Sequence, residues 1–192
     1  MVIEGVDQRL VGLPQQIVEH WLPNGIIYQE RPDEVANLSE YDLELLRFAA
    51  QGLSSGEIAG HYGHNDDRTI RGAYDRLREP IGALNKSHAV YLALRAGAVD
   101  PTSIPLPEPL DDTIHLPTSR QDQVIRLGAL GLTSQQTASL LRLASPRPGH
   151  TPATRTVELT RSHAYGRLYV PDLGAVITRF YKLGLLEPQS SG

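Results

Sequence analysis

The chain contains no cysteine. Disulfides, thiolate nucleophiles and thiolate zinc sites are therefore excluded, and a reducing compartment such as the cytoplasm is expected. No run of 18 apolar residues occurs, so neither a helical membrane span nor a membrane partner is expected. The N-terminus, MVIEGVDQRLVG, lacks the basic start and apolar stretch of a secretory signal. There is no glycine-rich phosphate loop, and no nucleophile or acid–base pair can be assembled from the sequence. The chain is therefore not expected to be an enzyme or to need a cofactor. His61 and His64 stand three apart without a supporting ligand pattern, and read as a surface pair rather than a metal site.

What is present is ordinary globular material: 192 residues, 40% of them hydrophobic and 21% charged. The net charge of −4 hides a strong segregation. Residues 1–67 hold 12 acidic and 3 basic side chains, a balance of −9. Residues 68–95 hold 6 basic and 2 acidic, a balance of +4. Residues 96–141 return to −3 with 2 basic and 5 acidic, and residues 142–192 rise again to +4 with 7 basic and 3 acidic. A local basic block binds phosphate whatever the total charge.

Each basic block follows the same phrase. LSSGEIAGHYG (Leu53 to Gly63) returns 79 residues later as LTSQQTASLL (Leu132 to Leu141). Upstream, Leu45, Leu46, Phe48 and Gly52 are in register with Val124, Ile125, Leu127 and Gly131. Downstream, RTI (Arg68 to Ile70) matches RTV (Arg155 to Val157) at an offset of 87, so the intervening loop is eight residues longer in the second copy. Ala89-Val90 map to Val176-Ile177 and Gly97 maps to Gly184 at that same offset. Two copies of this length predict tandem domains rather than a solenoid.

The periodicity predicts four helices per copy. Ser39 caps the first helix with Asp42 three residues on, and the apolar set Leu43, Leu45, Leu46, Ala49 and Ala50 recurs at helical spacing. Gly52 suits the left-handed residue after a helix. Ser54 and Glu57 form the S-x-x-E capping box of the second helix, and Thr133 takes the place of Ser54 in the second copy. Asp66 or Asp67 caps the third, RTIRGAYDRLREPIG, with Ile70, Tyr74 (or Ala73) and Leu77 inward and Pro80 stopping or bending it. The fourth starts near Ser87 and ends at Gly97. The fold expected is all-α. It comprises an N-terminal extension (1–37, with a short helix from Gln15 to Leu22), a first module (38–99), a Pro-rich ordered or semi-rigid linker (100–116) and a second, divergent module (117–187).

The phrase L-S-x-x-E-I-A, then a turn, R-T-I-R, and a last helix A-V-x-L-A-L-R-x-G resembles the LuxR-type helix-turn-helix domain family over nearly the full length of residues 38–99. The second copy resembles it more weakly. The resemblance implies a bacterial regulator in which the second and third helices form the helix-turn-helix. Its third helix enters the major groove of double-stranded DNA, and its fourth often makes a dimer contact. The bare residues agree: Thr69, Arg71, Gly72, Asp75, Arg76 and Arg78 are left on the polar side of the third helix, and arginine reads phosphate or guanine. Ser54 and Thr69 lie at helix starts, where a hydroxyl and free N–H groups suit a phosphate oxygen.

By resemblance, Arg71 stands at the family's DNA-contacting lysine and Thr69 at its threonine, with Arg68 beside them. Gly72 and Ala73 replace larger polar residues, and Pro80 stands where a basic residue is usual. In the second copy, Arg155, Thr156, Glu158, Thr160 and Arg161 are placed on the exposed face, with Glu158 in the position of Arg71. The long loop with Arg142, Arg147 and His150 is a candidate phosphate-gripping wing. The function expected is a sequence-specific, cytoplasmic DNA-binding transcriptional regulator, with RNA polymerase or another regulator as a further partner and a homodimer through the fourth helix. The alternative is a protein-interaction adaptor that uses the same fold to bind a transcription partner or itself. The acidic N-terminal third, Asp66, Asp67 and Glu158 motivate that alternative.

Overall fold

The computed structural model describes residues 31–109, 114–141 and 153–186. The expected helix from Gln15 to Leu22 and the loop holding Arg142, Arg147 and His150 lie outside them. The described chain is all-helical, with nine α-helices and no strand. A short α1 (Pro32–Val35) precedes α2 (Glu40–Gln51), α3 (Ser55–His61), α4 (Arg68–Ile81) and α5 (Lys86–Arg95). A 3-10 turn (Pro101–Ser103) leads to α6 (Ser119–Ala129), α7 (Ser134–Leu140), α8 (Ala153–Leu168) and α9 (Leu173–Lys182).

Local chemistry sets the helix starts. Ser39 with Asp42, and Ser54 with Glu57, close reciprocal capping boxes on α2 and α3. Thr118 with Gln121, and Thr133 with Gln136, do the same for α6 and α7. Each cap satisfies N–H groups that a helix cannot satisfy internally, at about 1 kcal/mol apiece. Asn85 caps α5 and Asp172 caps α9. Asp67 precedes α4 without a side-chain cap bond, while Asp66 accepts from the Arg68 N–H at 2.8 Å. Pro80 does not stop α4, which runs one residue further to Ile81 before Gly82 turns left-handed.

The two helix series, α2 to α5 and α6 to α9, share their larger core, while a smaller cluster of Ile125, Ala164, Leu168, Val170, Ala175, Val176 and Phe180 lies within the second series. One buried cluster runs from Leu45, Leu46, Ile58, Ile70 and Leu92 to Val124, Leu127, Ile177 and Tyr181. Residues 88–95 of α5 and 174–181 of α9 are all buried. These two helices pack on each other, α9 also packs on α2, and α5 also packs on α6. Fully burying side chains the size of Ile177, Leu92 or Leu94 stabilises by roughly 1.5–3 kcal/mol each, so this seam accounts for a large part of the core.

The seam also carries polar bonds. Lys86 Nζ lies 3.1 Å from Asp172 and donates to the Leu53 carbonyl at 3.3 Å. Asn85 Nδ2 donates to the Gly131 carbonyl at 2.9 Å, and Thr178 Oγ1 to the Ala50 carbonyl at 2.9 Å. Gly52 (φ 89°) and Gly131 (φ 85°) end α2 and the α6 turn in the left-handed region. A side chain at Gly52 would strike Pro171, and one at Gly131 would come within 2.8 Å of Leu84 and 3.0 Å of His88. Each glycine therefore meets the turn before the last helix of the other series.

The described part of the Pro-rich stretch is packed onto this body. Ile104 is buried, its carbonyl accepts from Lys182 at 2.6 Å, and the Pro107 carbonyl accepts from Arg179.

Candidate nucleic-acid interface

α3 and α4 present the candidate face. α4 divides cleanly: Ile70, Ala73, Tyr74, Leu77 and Ile81 are buried. Arg68, Thr69, Arg71, Asp75, Arg76 and Glu79 are exposed. Tyr74 is fixed by its hydroxyl, which donates to the Leu45 carbonyl at 2.7 Å, and burial pushes that hydroxyl well above its ordinary pKa. This bond locks the rotation of α4 about its own axis relative to α2. Ala73 is core, so it is no site for a larger base-contacting residue.

The cations on this face differ in freedom. The Arg68 side chain is 90% exposed, with only a 4.0 Å approach to Asp66. Arg71 bonds Asp67 at 2.6 Å one turn back but remains 69% exposed. Such an exposed i,i+4 pair contributes about 0.3–0.5 kcal/mol, so a phosphate can displace it. Arg76 has no ion pair among the described residues, and its guanidinium lies over Gly72 (3.7 Å from where a Cβ would stand).

Three of the expected contacts are already committed within the fold. Arg78 donates to the Leu84 carbonyl at 2.7 Å and to Asp75, so both residues serve the turn from α4 to α5. The Ser54 hydroxyl is engaged with Glu57, at 2.7 Å to the carboxylate and 3.3 Å from the Glu57 N–H. The Ser54 N–H, which donates to the Glu57 carboxylate at 2.7 Å, and then the Ser54 hydroxyl hold that carboxyl below its ordinary pKa. Ser54 acts first as a cap, not as a free phosphate donor.

The second series corrects one expectation. Arg155 and Thr156 are exposed, as is Glu158, which sits 3.7 Å from Arg155. Thr160 is half-buried, and its hydroxyl donates to the Thr156 carbonyl at 2.8 Å. Arg161 is not on the exposed face. It turns inward to the Leu132 carbonyl (3.2 Å) and Ser134 Oγ (3.4 Å). The reason lies in the register itself: at the offset of 87, position 161 corresponds to Tyr74, the inward side of α4. The same register points to Ser162 and His163, exposed on α8, as the counterparts of Asp75 and Arg76. The offset of 87 is the sequence signal that marks them.

Among the described residues no group of three or more His, Asp or Glu side chains is arranged to hold a metal. His61 is exposed and packs edge-on to Phe48, with ring centroids 4.7 Å apart. No described helix is long and apolar enough to cross a membrane. What the α4 face offers chemically is three exposed guanidinium groups and a hydroxyl on one rigid, well-anchored helix. No protein-family model, no curated protein and no solved structure matches the chain.

Proposed function

We propose that the chain is a sequence-specific double-stranded DNA-binding transcriptional regulator of the cytoplasm, built from two tandem LuxR-like helix-turn-helix modules, α2 to α5 and α6 to α9, joined through residues 100–116. The observation that carries this reading is the face of α4: Arg68, Thr69, Arg71 and Arg76 all exposed on a helix whose opposite side is locked into the core. A recognition helix needs such a division, because it must stay rigid while its polar side meets base edges and phosphates.

The helix bounds support the tandem reading. α3 and α7 correspond end to end at an offset of 79, and α5 and α9 at 87. The fourth-helix contact that the family uses between subunits is, on this reading, made inside one chain by α5 and α9. The pair then acts as a built-in pseudo-dimer. Since both fourth helices are buried along most of their length, a second copy would dock elsewhere.

Fluorescence polarisation of the chain against genomic duplex pools, at low and near-physiological salt, tests the proposal. Sequence-selected binding that survives salt supports it. A salt-labile or absent signal leaves the adaptor reading, which the charge-balanced face of α8 favours: there Arg155 is paired with Glu158.

A further inference from the structure

A cleft of about 490 Å³ opens along the seam between the two helix series. One wall is Asn85, Lys86 and Ser87 at the start of α5; the other includes Gly128, Leu132, Arg161, Tyr165 and Leu173. Its volume falls in the range of sites that take small molecules.

The charges lining it do not balance. Lys86 and Asp172 both face the cleft and pair with each other at 3.1 Å. Arg161 has no carboxylate within ion-pair distance among the described residues. Its Nε is buried without a hydrogen-bond partner, and its bond to Ser134 is long at 3.4 Å. Burial lowers the pKa of this guanidinium, against smaller opposing effects of Tyr165 and Glu158. A half-buried cation left this way is costly to the fold unless something of opposite sign completes it.

The fold does not require a cation there. Tyr74, which stands at the same register position in the first series, is neutral, 5% exposed and bonded to the Leu45 carbonyl. The second series has placed a guanidinium where the first has a phenol. Around it, Leu132, Leu173 and the ring of Tyr165 give an apolar lining. Burial raises the Tyr165 hydroxyl to about 12, so it stays protonated and able to donate.

We infer that this cleft binds a small molecule carrying one carboxylate on an apolar body, with the Arg161 guanidinium as its anion anchor. A planar, delocalised guanidinium suits a carboxylate in geometry and in its weak hydration. The bound molecule would touch both helix series at once, through Ser87 on one side and Leu132 on the other.

The test is a ¹H–¹⁵N NMR titration of the full chain with benzoate as the probe and benzamide as its neutral counterpart. Benzoate is expected to give saturable shifts centred on the amides of Gly128, Leu132 and Ser134, and benzamide none at the same concentrations. Arg161→Gln is expected to weaken benzoate binding about tenfold, the loss of one charge-assisted contact. Arg161→Tyr, which installs the residue the first series tolerates at this place, keeps the comparison available if the glutamine variant does not fold, and should abolish the shifts. Absent or scattered shifts, equal response to benzamide, or unchanged affinity in the folded Arg161 variants would overturn the inference. No arm involves DNA, so failure here leaves the proposed DNA function standing, and the reverse also holds.

Discussion

At the start of α4 the exposed side chains are Arg68, Thr69 and Arg71; at the matching places on α8 they are Arg155, Thr156 and Glu158. One turn further, Arg76 faces His163 across the comparison, and the inward Tyr74 faces Arg161. The two helices keep the same apolar spine, with Ile70 and Leu77 matched by Val157 and Ala164, all buried. What has diverged is the outward charge and two inward positions, Ala73 and Tyr74, where α8 carries Thr160 and Arg161. Burial constrains shape strongly, so the spine is held, while an exposed position is free to trade a guanidinium for a carboxylate at little cost in stability. The lesson is that repeated architecture does not carry a repeated surface. α4 carries two exposed arginines in its first turn, with Asp66 and Asp67 just ahead of them, whereas α8 carries one, with Glu158 in the place of the other.

The largest expected effects come from the seam that joins the two series. Gly174 in α9 lies so close to the Ala49 carbonyl that a methyl group there would strike backbone. Gly174→Ala should therefore destabilise by about 3 kcal/mol or more, since no side chain is available to yield. Gly60→Ala, in α3 with open space around it, should be neutral or stabilise by roughly 0.5–1 kcal/mol. Denaturant melts of both variants decide this. If Gly174→Ala melts like the parent chain, the two series are not held together through α9 and α2 as described.

On the proposed DNA function, Arg71→Ala should weaken binding by about 1–3 kcal/mol and shift sequence preference if the residue reads a base. Should it touch only phosphate, affinity falls evenly and the salt slope shrinks by about one. Arg155→Ala, on a helix that carries Glu158 at the place of Arg71, should change affinity less. Polarisation titrations at several salt concentrations compare the two directly. Equal losses would mean that both helices meet DNA despite their different charge.

The caps should behave alike in the two series at neutral pH. Ser54→Ala and Thr133→Ala are each expected to cost about 1 kcal/mol, seen by urea denaturation.

Acid separates them. The Glu57 carboxyl is held below its ordinary pKa by its bonds to Ser54. A group depressed in the folded state stabilises fully above its unfolded pKa, and that contribution is lost as pH falls through the folded value. Its counterpart in the second series, Gln136, does not titrate. On acidification, amide exchange at the start of α3 should accelerate while the start of α7 stays protected to the same degree. Parallel loss at both ends would show that the Glu57 bond does not hold α3.

Much of the fold was legible because its signals are local. The capping boxes at Ser39, Ser54 and Thr133, the left-handed Gly52 and Gly131, and the apolar side of α4 depend on residues within one or two turns. The candidate face was legible in part. Arg68, Thr69, Arg71 and Arg76 were placed outward and are outward. Arg78, Asp75 and Ser54 were also placed there, but their hydrogen bonds tie them to the fold. Those bonds arise from the course of the turn after α4 and from the box with Glu57, which compete with any ligand for the same atoms. The resemblance implies an outward Arg161, whereas the offset of 87 puts it at the inward place of Tyr74.

By itself the sequence determined the helices, their caps and breaks, and the presence of two matched series, since a 3.6-residue period and a capping side chain act over a few residues. It also determined where charge collects along the chain. Only the tertiary structure decided that the two series share their larger core, because the burial of α5 against α9 depends on surfaces 87 residues apart. It alone decided which arginines remain free and which are used to close a turn. It alone brought Arg161 to the wall of a cleft, because a half-buried cation is defined by what surrounds it and not by its neighbours in the chain.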